Sequence, residues 1–254
     1  MNCLLDNYTT RHDQVQCLET GGSCLISEEE LEAQLQRSWI ENATAWTGAV
    51  RQGRIASRRA GTDAAIVEAV RQFPPCPVLD VGCGEGWLVR ALSSEGYTVT
   101  GVDASSSLID EASRGGGGVF FQMSYEELAR ESSIEGPFGL VVANYSLLGR
   151  DIHTLLEKVN SLLVKDGALI IQTLHPLSQD PDARDEAGWR TEAFTDMGDG
   201  FTAGMPYYFR TFSHWVEDLT AANFAIAHCR EPLHPETGRP LSLLIVARPS
   251  VLAG

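Results

Sequence analysis

The chain has 254 residues, of which 43% are hydrophobic, so it is long enough to bury a full core as one α/β domain with room for a lid. It carries 19 basic and 34 acidic side chains and a formal net charge of -15, which disfavours nucleic acid as a partner because such an acidic body repels a polyanion. The sequence has no run of 18 apolar residues, and its N-terminus lacks the basic region followed by an apolar region that is typical of a signal peptide. We therefore expect a cytoplasmic protein that does not interact with a membrane.

Residues 1–60 are predicted to form an N-terminal tail followed by a helical lid. Ser27 and Glu30 have the spacing of a capping box, in which each side chain accepts a hydrogen bond from the other residue's backbone N–H. Apolar residues recur behind it at helical spacing as far as about Val50. Trp46 lies in this stretch, and we expect it to help close a binding site from the lid.

Residues 61–254 are predicted to form the main domain. After a helix over 62–73, β-rich runs alternate with helical runs, and the β-rich runs are PVLDVG, TVTGVD, VFFQM, LVVANYS and ALIIQTL. Such apolar strands separated by helices indicate a parallel sheet that is buried on both faces. Two later runs, AIAHCREP and LSLLIVARP, are predicted to pair antiparallel. We therefore predict a doubly wound, mostly parallel seven-stranded α/β sheet with an antiparallel last strand and helices on both faces.

Residues 176–212 interrupt this alternation with many Asp, Gly, Pro and aromatic residues. A long segment of this kind inside a compact domain is usually functional, and its aromatic residues favour a substrate cap. Tyr207, Tyr208 and His214 are predicted to line the site of the acceptor substrate. Alternatively, the two tyrosines are ordinary core aromatics.

A glycine turn directly follows the first strand of the main domain, in the run VLDVGCGEG that begins at Val78 and ends at Gly86. Glycines allow a positive φ and let the backbone approach a ligand closely. Seventeen residues after Gly86, Asp103 ends the next strand, where an acid can accept both hydroxyls of a ribose. This pattern predicts a ligand that contains adenosine.

The spacing and the charges of the turn indicate which adenosine ligand it binds. The dinucleotide pattern is G-x-G-x-x-G, whereas here the spacing is Gly82-x-Gly84-x-Gly86. Glu85 lies within the turn, where it would repel a pyrophosphate, and Asp80 is placed to pair with an ammonium group. An adenosine ligand with a cation and an amine, and without phosphate, fits this pattern better.

The run VLDVGCGEG…VTGVDAS resembles the nucleotide-binding signature of class I, Rossmann-like S-adenosylmethionine-dependent methyltransferases, and in particular their small-molecule branch. The resemblance extends from about Cys76 to His175 and more weakly to the two later strands. It implies S-adenosyl-L-methionine as cofactor and S-adenosyl-L-homocysteine as product. The cofactor-binding residues that it implies are Asp80, Gly82, Cys83, Gly84, Gly86, Asp103, Ala104, Ser105, Leu108, Met123, Ser124, Tyr125, Asn144, Tyr145 and Arg58.

The same resemblance implies a role for several of these residues. Asp80 would hold the amino group of the cofactor and Asp103 its ribose hydroxyls. Ser124 would cover the adenine, although Ser124 and Glu127 also have the spacing of a capping box. Arg58 or Arg59 would pair with the carboxylate of the methionine moiety, unless the arginines of this group form a solvated basic face.

The chemistry is predicted at the carboxyl ends of the strands, where open parallel sheets bind their ligands. Asn144 and Tyr145 follow the fourth strand and would line the transferred methyl group, unless they merely end the strand. His175 follows the fifth strand, and a neutral imidazole can remove a proton near pH 7. We therefore predict His175 as the general base. The alternative is a histidine that fixes the start of the cap through a backbone hydrogen bond.

The function predicted from the sequence is methyl transfer from S-adenosylmethionine to an oxygen or nitrogen of a small organic molecule. The protein would supply proximity and a dry site. One alternative is an RNA methyltransferase, which the charge disfavours, and another is a cofactor-binding protein that is not an enzyme and acts through partners. We expect no metal, because the six cysteines show no metal-ligand spacing.

Overall fold

The computed structural model describes residues 15–16, 25–130, 134–176, 186–195, 197–202 and 204–250. Most of the predicted tail and residues 177–185 of the predicted cap lie outside the described residues. In the described part of the chain, no helix is both long and apolar enough to cross a bilayer.

The described elements alternate through the main domain as the sequence predicts. In chain order they are β1 (Val15–Gln16), β2 (Leu25–Ile26), α1 (Glu28–Glu41), α2 (Ala43–Arg51), a π-helical turn (Arg58–Thr62), α3 (Asp63–Arg71), β3 (Pro77–Val81), α4 (Trp87–Ser93), β4 (Thr98–Asp103), α5 (Ser106–Gly115), β5 (Val119–Gln122), α6 (Tyr125–Arg130), β6 (Phe138–Asn144), α7 (His153–Leu162), β7 (Leu163–Thr173), β8 (Gly188–Glu192), β9 (Met205–Phe209), α8 (Phe212–Ala221), β10 (Phe224–Arg230) and β11 (Leu243–Pro249).

Seven of the strands form one sheet in the order β10-β11-β7-β6-β3-β4-β5. The strands β7, β6, β3, β4 and β5 run parallel to one another, whereas β11 is antiparallel to both β7 and β10. This confirms the predicted fold class. The chain runs outward from β3 to β5 on one side and from β6 to β7 on the other, so the strand order reverses between β3 and β6. Ligands of such sheets bind in the crevice at that reversal.

The sheet is buried on both faces because successive strand residues point to opposite sides. Val78 of β3 packs in a core cluster with residues of α3, α4 and α5. Its neighbour Leu79 packs in a second cluster with residues of α6, α7 and α8. These two layers hold the carboxyl ends of the strands in fixed positions.

The predicted lid and cap share a third core above the crevice. The strands β8 and β9, which both lie in the predicted cap, pair antiparallel. Helix α1 packs against β9, and the cluster between them includes Leu35, Met205 and Tyr207. A small hairpin and a helix pair therefore cover one side of the crevice.

The capping box predicted at the start of α1 is only half formed. Ser27 Oγ accepts a hydrogen bond from the Glu30 backbone N–H at 3.2 Å, as expected. The Glu30 carboxylate does not return the bond, because its Oε1 accepts from Gln34 at 3.1 Å and from Arg37 at 2.6 Å. A charged guanidinium is a stronger donor than a backbone amide, so it takes the carboxylate.

Candidate active site

A cavity of about 1020 Å³ opens at the carboxyl ends of the central strands. Its wall includes Gly82 after β3, Asp103 at the end of β4 and Asn144 at the end of β6. Ligand pockets commonly measure about 300 to 1,000 Å³, so this cavity has room for a nucleoside cofactor and a second small molecule.

The glycine turn borders this cavity at Gly82 and has open space beside Gly84. Gly82, Gly84 and Gly86 have φ values of 75°, 55° and 81°, in the left-handed region that favours glycine. A Cβ at Gly82 would collide with Ser146 and Tyr125. A Cβ at Gly84 would meet no heavy atom within 4 Å, so the space beside Gly84 is free for a ligand.

Asp103 is fixed against the turn by two backbone donors. Its Oδ2 accepts from the Gly84 N–H and its Oδ1 from the Ser105 N–H, each at 2.9 Å. Burial raises the pKa of Asp103, and the two N–H donors partly oppose that rise by stabilising the carboxylate. A carboxylate held in this way on a cavity wall is suited to accept hydrogen bonds from a diol.

Asp80 carries a buried oxygen that no described residue satisfies. The side chain is buried, and Oδ2 has no hydrogen-bond partner in the described part of the chain. Burial, together with the nearby Asp103 carboxylate, raises the pKa of Asp80 to about 7. A buried carboxylate without a partner is costly, and a ligand ammonium group would relieve that cost. The turn region therefore fits a ligand with a diol and an amine.

Glu85 does not present a free charge to the turn, which corrects the electrostatic argument made from the sequence. Its carboxylate is buried and accepts from Arg90 Nη2 at 2.7 and 2.8 Å. It also accepts from Arg51 Nε of helix α2 at 2.9 Å. Two guanidinium groups neutralise the acid, so the preference against a pyrophosphate now rests on the glycine spacing and on Asp80. The same contacts join the lid to the turn.

Of the two arginines that the resemblance offered for the methionine carboxylate, only Arg58 lines the cavity. Its guanidinium lies 4.3 Å from the centre of the Trp87 ring, and its Nε donates to Asp63 Oδ1 at 2.8 Å. Arg59 instead donates to the Gly53 carbonyl at 2.5 Å. The turn that begins at Arg58 is kinked at Gly61, whose φ is 157°.

The capping box offered by the sequence for Ser124 is formed, and the role of this residue toward the adenine stays a prediction. Ser124 lines the cavity, and it forms a complete capping box with Glu127 at the start of α6. The Glu127 N–H donates to Ser124 Oγ at 3.2 Å, and the Ser124 N–H donates to Glu127 Oε2 at 2.7 Å.

Asn144 and Tyr145 lie on the wall where β6 ends. Asn144 Oδ1 accepts from Gln172 Nε2 at 2.8 Å. Tyr145 has a φ of 53°, which is uncommon for a residue other than glycine and typical of functional sites. Burial raises the pKa of its hydroxyl to about 12, so it stays protonated.

The predicted cofactor residues divide into two groups. Ten line the cavity: Arg58, Gly82, Asp103, Ala104, Ser105, Leu108, Ser124, Tyr125, Asn144 and Tyr145. Five do not: Asp80, Cys83, Gly84, Gly86 and Met123. Burial raises the pKa of the Cys83 thiol, which keeps it protonated and unreactive.

The predicted acceptor residues divide as well. Trp46 and Tyr207 line the cavity, whereas Tyr208 and His214 do not. The Tyr208 ring meets Trp189 edge-on at 5.7 Å. His214 Nδ1 lies 2.7 Å from Thr211 Oγ1 at the start of α8. Packing and helix capping, which depend on tertiary structure, therefore account for these two residues.

His175 is also not among the residues that line the cavity. Its ring is buried, and its Nε2 lies 2.8 Å from Glu231 Oε1, just beyond the end of β10. This position gives no support to the assignment of His175 as the general base, which stays a prediction.

The wall residues that the sequence did not predict as site residues include four with polar or aromatic side chains that a ligand could contact. Glu32 and Trp39 lie on α1, seven positions apart, and that spacing places them on the same face of the helix. His234 and Arg239 come from the connection between β10 and β11, where no motif marks them. His234 Nδ1 accepts from the backbone N–H groups of Glu236 at 3.2 Å and Thr237 at 3.4 Å, which leaves the ring proton on Nε2.

A family model described as a methyltransferase domain matches residues 54–228. The malonyl-[acyl-carrier protein] O-methyltransferase of Halalkalibacterium halodurans is 29% identical over 110 residues, which cover 40% of each chain. The ubiquinone biosynthesis O-methyltransferase of Coxiella burnetii is 66% identical over 35 residues, which cover 14% of this chain and 15% of that protein. Each match spans less than half the length of the curated relative.

Solved methyltransferase structures share the fold. The Burkholderia thailandensis 1,6-didemethyltoxoflavin N1-methyltransferase, with bound 1,6-didemethyltoxoflavin and S-adenosylhomocysteine, is 21% identical with a TM-score of 0.59, over 91% of this chain and 94% of that one. The magnesium protoporphyrin IX methyltransferase of Synechocystis PCC 6803, with bound S-adenosylhomocysteine, is 18% identical with a TM-score of 0.61, over 87% and 100% of the two chains.

Proposed function

This chain belongs to the methyltransferase domain family, and from that membership we propose that it transfers a methyl group from S-adenosyl-L-methionine to an oxygen or nitrogen of a small organic molecule. The observation that carries the proposal is the arrangement of Asp80, Gly84 and Asp103. One oxygen of the buried Asp80 carboxylate lacks a partner among the described residues, the Asp103 carboxylate is fixed on the cavity wall, and the space beside Gly84 is open.

The residues of this chain would hold the cofactor by its polar groups. Asp103 would accept the ribose hydroxyls, Asp80 would attract the amino group, and Arg58 would pair with the carboxylate. Leu108 and Ser124 would border the adenine. When bound, the cofactor supplies a methyl group on a sulfonium, and the protein supplies orientation and a dry site.

A small acceptor is supported by the names of the relatives and by the charge of the chain. The similar proteins include methyltransferases named for 1,6-didemethyltoxoflavin, magnesium protoporphyrin IX and malonyl-[acyl-carrier protein]. The net charge of -15 disfavours RNA as the alternative acceptor.

We further propose that residues 1–60 act as tail and lid, that residues 61–254 form the methyltransferase domain, and that residues 176–212 cap the acceptor. Trp46 of the lid and Tyr207 of the cap support this division, because both line the cavity. Closing these two parts over the crevice would exclude water from the methyl group.

Two measurements test the proposal. Calorimetric titration with S-adenosylmethionine and S-adenosylhomocysteine should show saturable binding to the folded protein. A methyl-transfer screen across phenols, acids and amines, with total RNA included, should release S-adenosylhomocysteine with a small acceptor. Absence of cofactor binding would contradict the proposal, and binding without turnover would favour the alternative of a binding protein that is not an enzyme.

A further inference from the structure

One wall of the cavity contains an aromatic surface. The rings of Trp39 and Trp46 stack with centroids 5.1 Å apart and planes inclined by 28°. Trp46 meets Phe194 and Phe201 edge-on at 5.6 and 5.3 Å, and those two rings stack on each other at 4.4 Å. The two phenylalanines thus pack against Trp46, and neither of them lines the cavity. Both indoles line the cavity, so an aromatic surface is in place before any ligand arrives.

The remainder of this wall is apolar and adaptable. Leu35 of α1 and Met205 and Tyr207 of β9 belong to the same cluster, and all three line the cavity. Methionine side chains adjust to irregular partners and make favourable contacts with aromatic rings.

Glu32 provides a carboxylate beside this wall. It lies on α1, seven positions before Trp39, and lines the cavity. Its Oε1 accepts from the Arg150 backbone N–H at 2.5 Å, which fixes the carboxylate on the loop after β6. Burial raises the pKa of Glu32. Each oxygen of a carboxylate accepts more than one hydrogen bond, so a ligand donor has a place there.

The charges around the cavity discriminate among acceptors. Seven carboxylates and three guanidinium groups belong to the described residues that line it. Asp63 is paired with Arg58, and Glu85 is paired with Arg51 and Arg90. The excess of carboxylates that remains repels an anionic acceptor and favours a neutral or cationic one.

We propose that the methyl acceptor is an uncharged or cationic aromatic molecule whose ring packs on the Trp39 and Trp46 surface and whose N–H or O–H group donates a hydrogen bond to Glu32. This inference rests on the proposed function, because it names the class of molecule that the methyltransferase modifies. An aromatic ring gains stacking energy on such a surface beyond the burial of its area. A cationic ring also gains from the nearby carboxylates and from the faces of the indoles.

The test compares four probes by calorimetry on protein saturated with S-adenosylhomocysteine. They are β-naphthylmethylamine, β-naphthylmethanol, β-naphthoate and the decalin analogue of the alcohol. We expect the amine and the naphthyl alcohol to bind about tenfold or more tightly than either the naphthoate or the decalin alcohol. Tighter binding of the naphthoate would overturn the charge argument, and equal binding of the two alcohols would overturn the aromatic argument.

Matched variants connect these preferences to the named residues. Glu32→Gln keeps an oxygen for the Arg150 N–H and should remove most of the preference for the amine over the naphthoate. Glu29→Gln makes the same charge change at an exposed position of α1 and should leave that preference unchanged. Trp39→Leu should reduce the preference for the naphthyl over the decalin alcohol, whereas Trp39→Phe should retain most of it.

The two proposals fail in different ways. If S-adenosylhomocysteine binds but none of the four probes does, the inference about the acceptor is wrong and the proposed function stands. If S-adenosylhomocysteine does not bind to the folded protein, the proposed function is wrong. The probes are therefore also titrated into the protein alone, where the same order of affinities is expected of the same wall.

Discussion

The backbone N–H of Gly84 donates a 2.9 Å hydrogen bond to Oδ2 of Asp103, so the glycine turn after β3 and the acid that ends β4 form one unit. The parallel pairing of β3 and β4 makes this contact possible, because it brings the carboxyl ends of both strands to the same edge. A ligand that contacts the turn therefore also contacts the carboxylate, so substitutions at either residue should change the binding of the same ligand.

Replacing Asp103 should weaken cofactor binding without unfolding the protein. We expect Asp103→Ala to reduce the affinity for S-adenosylhomocysteine by about 2–4 kcal/mol, since charge-assisted hydrogen bonds to the ribose are lost. Calorimetry measures the affinity, and a thermal melt confirms that the variant is folded. Asp110→Ala on α5, which removes an exposed acid, is the control. Unchanged affinity in the folded Asp103 variant would exclude the carboxylate from the site.

Two glycines of the turn should respond differently to substitution. Gly84→Val should fold but lose cofactor binding, because its side chain would project into the free space beside the turn. A left-handed φ costs a residue with a Cβ about 1–2 kcal/mol. Gly96→Val has the same conformational cost at φ 91°, also with free space, and should bind normally. Gly82→Ala should instead destabilise the fold, because its Cβ collides with Ser146. Thermal melts and calorimetry distinguish these outcomes, and normal binding by Gly84→Val would refute this placement of the cofactor.

The pKa of Asp80 predicts how the stability of the protein without ligand depends on pH. Its pKa is about 7 in the folded state and near the ordinary 3.8 in the unfolded state. The folded state therefore binds the proton more tightly, and the contribution of this group to stability falls as the pH rises from about 4 to about 7. Asp80→Asn should flatten that fall in chemical denaturation at several pH values. An unchanged pH dependence would show that Asp80 does not titrate in this range.

The same group predicts how cofactor affinity depends on pH. An ammonium ligand needs the ionised carboxylate, so the affinity for S-adenosylhomocysteine should rise up to about pH 7. It should decline again only at higher pH, where the α-amino group of the ligand loses its proton. Asp80→Asn should lower the affinity and remove the rising limb, whereas the falling limb belongs to the ligand. A rising limb that persists in the variant would mean that another group causes it.

The contact between Arg51 and Glu85 predicts that the lid and the cofactor turn are coupled. Arg51→Ala should increase hydrogen exchange in α2 and weaken cofactor binding by up to about 1 kcal/mol, since the arginine is partly exposed and Glu85 keeps Arg90. Arg37→Ala, which removes the exposed ion pair with Glu30 on α1, is the control. Equal exchange in both variants would mean that the lid is held by apolar packing alone.

The position of His175 changes what we expect of its substitution. A general base lost from the site would lower turnover about 10²- to 10⁴-fold. Because His175 does not line the cavity and its ring lies 2.8 Å from Glu231, we expect His175→Gln to lower kcat by less than about tenfold with cofactor affinity unchanged. Steady-state kinetics with the acceptor that the screen identifies would measure this change in kcat. A loss of a hundredfold or more would support the assignment as base.

The sequence by itself determined the sheet and the cofactor turn of this protein. The strands were recognisable because burial on both faces requires nearly continuous Val, Ile and Leu, and the turn because left-handed backbone requires glycine. The run from Val78 to Asp103 is short, and parallel pairing of the strands at its two ends brings their carboxyl ends together. These features depend on neighbouring residues, so the amino-acid pattern is enough to predict them.

Only the tertiary structure decided which other side chains meet at the cavity. Glu85 is neutralised by Arg51, which comes 34 positions earlier, and no local pattern announces that pair. Glu32 on α1 and His234 between β10 and β11 reach the wall from distant parts of the chain, whereas His175, close to the end of a core strand, does not line it. Where a side chain points beyond the end of a strand depends on the packing of elements far away in sequence, and periodicity carries no information about that packing.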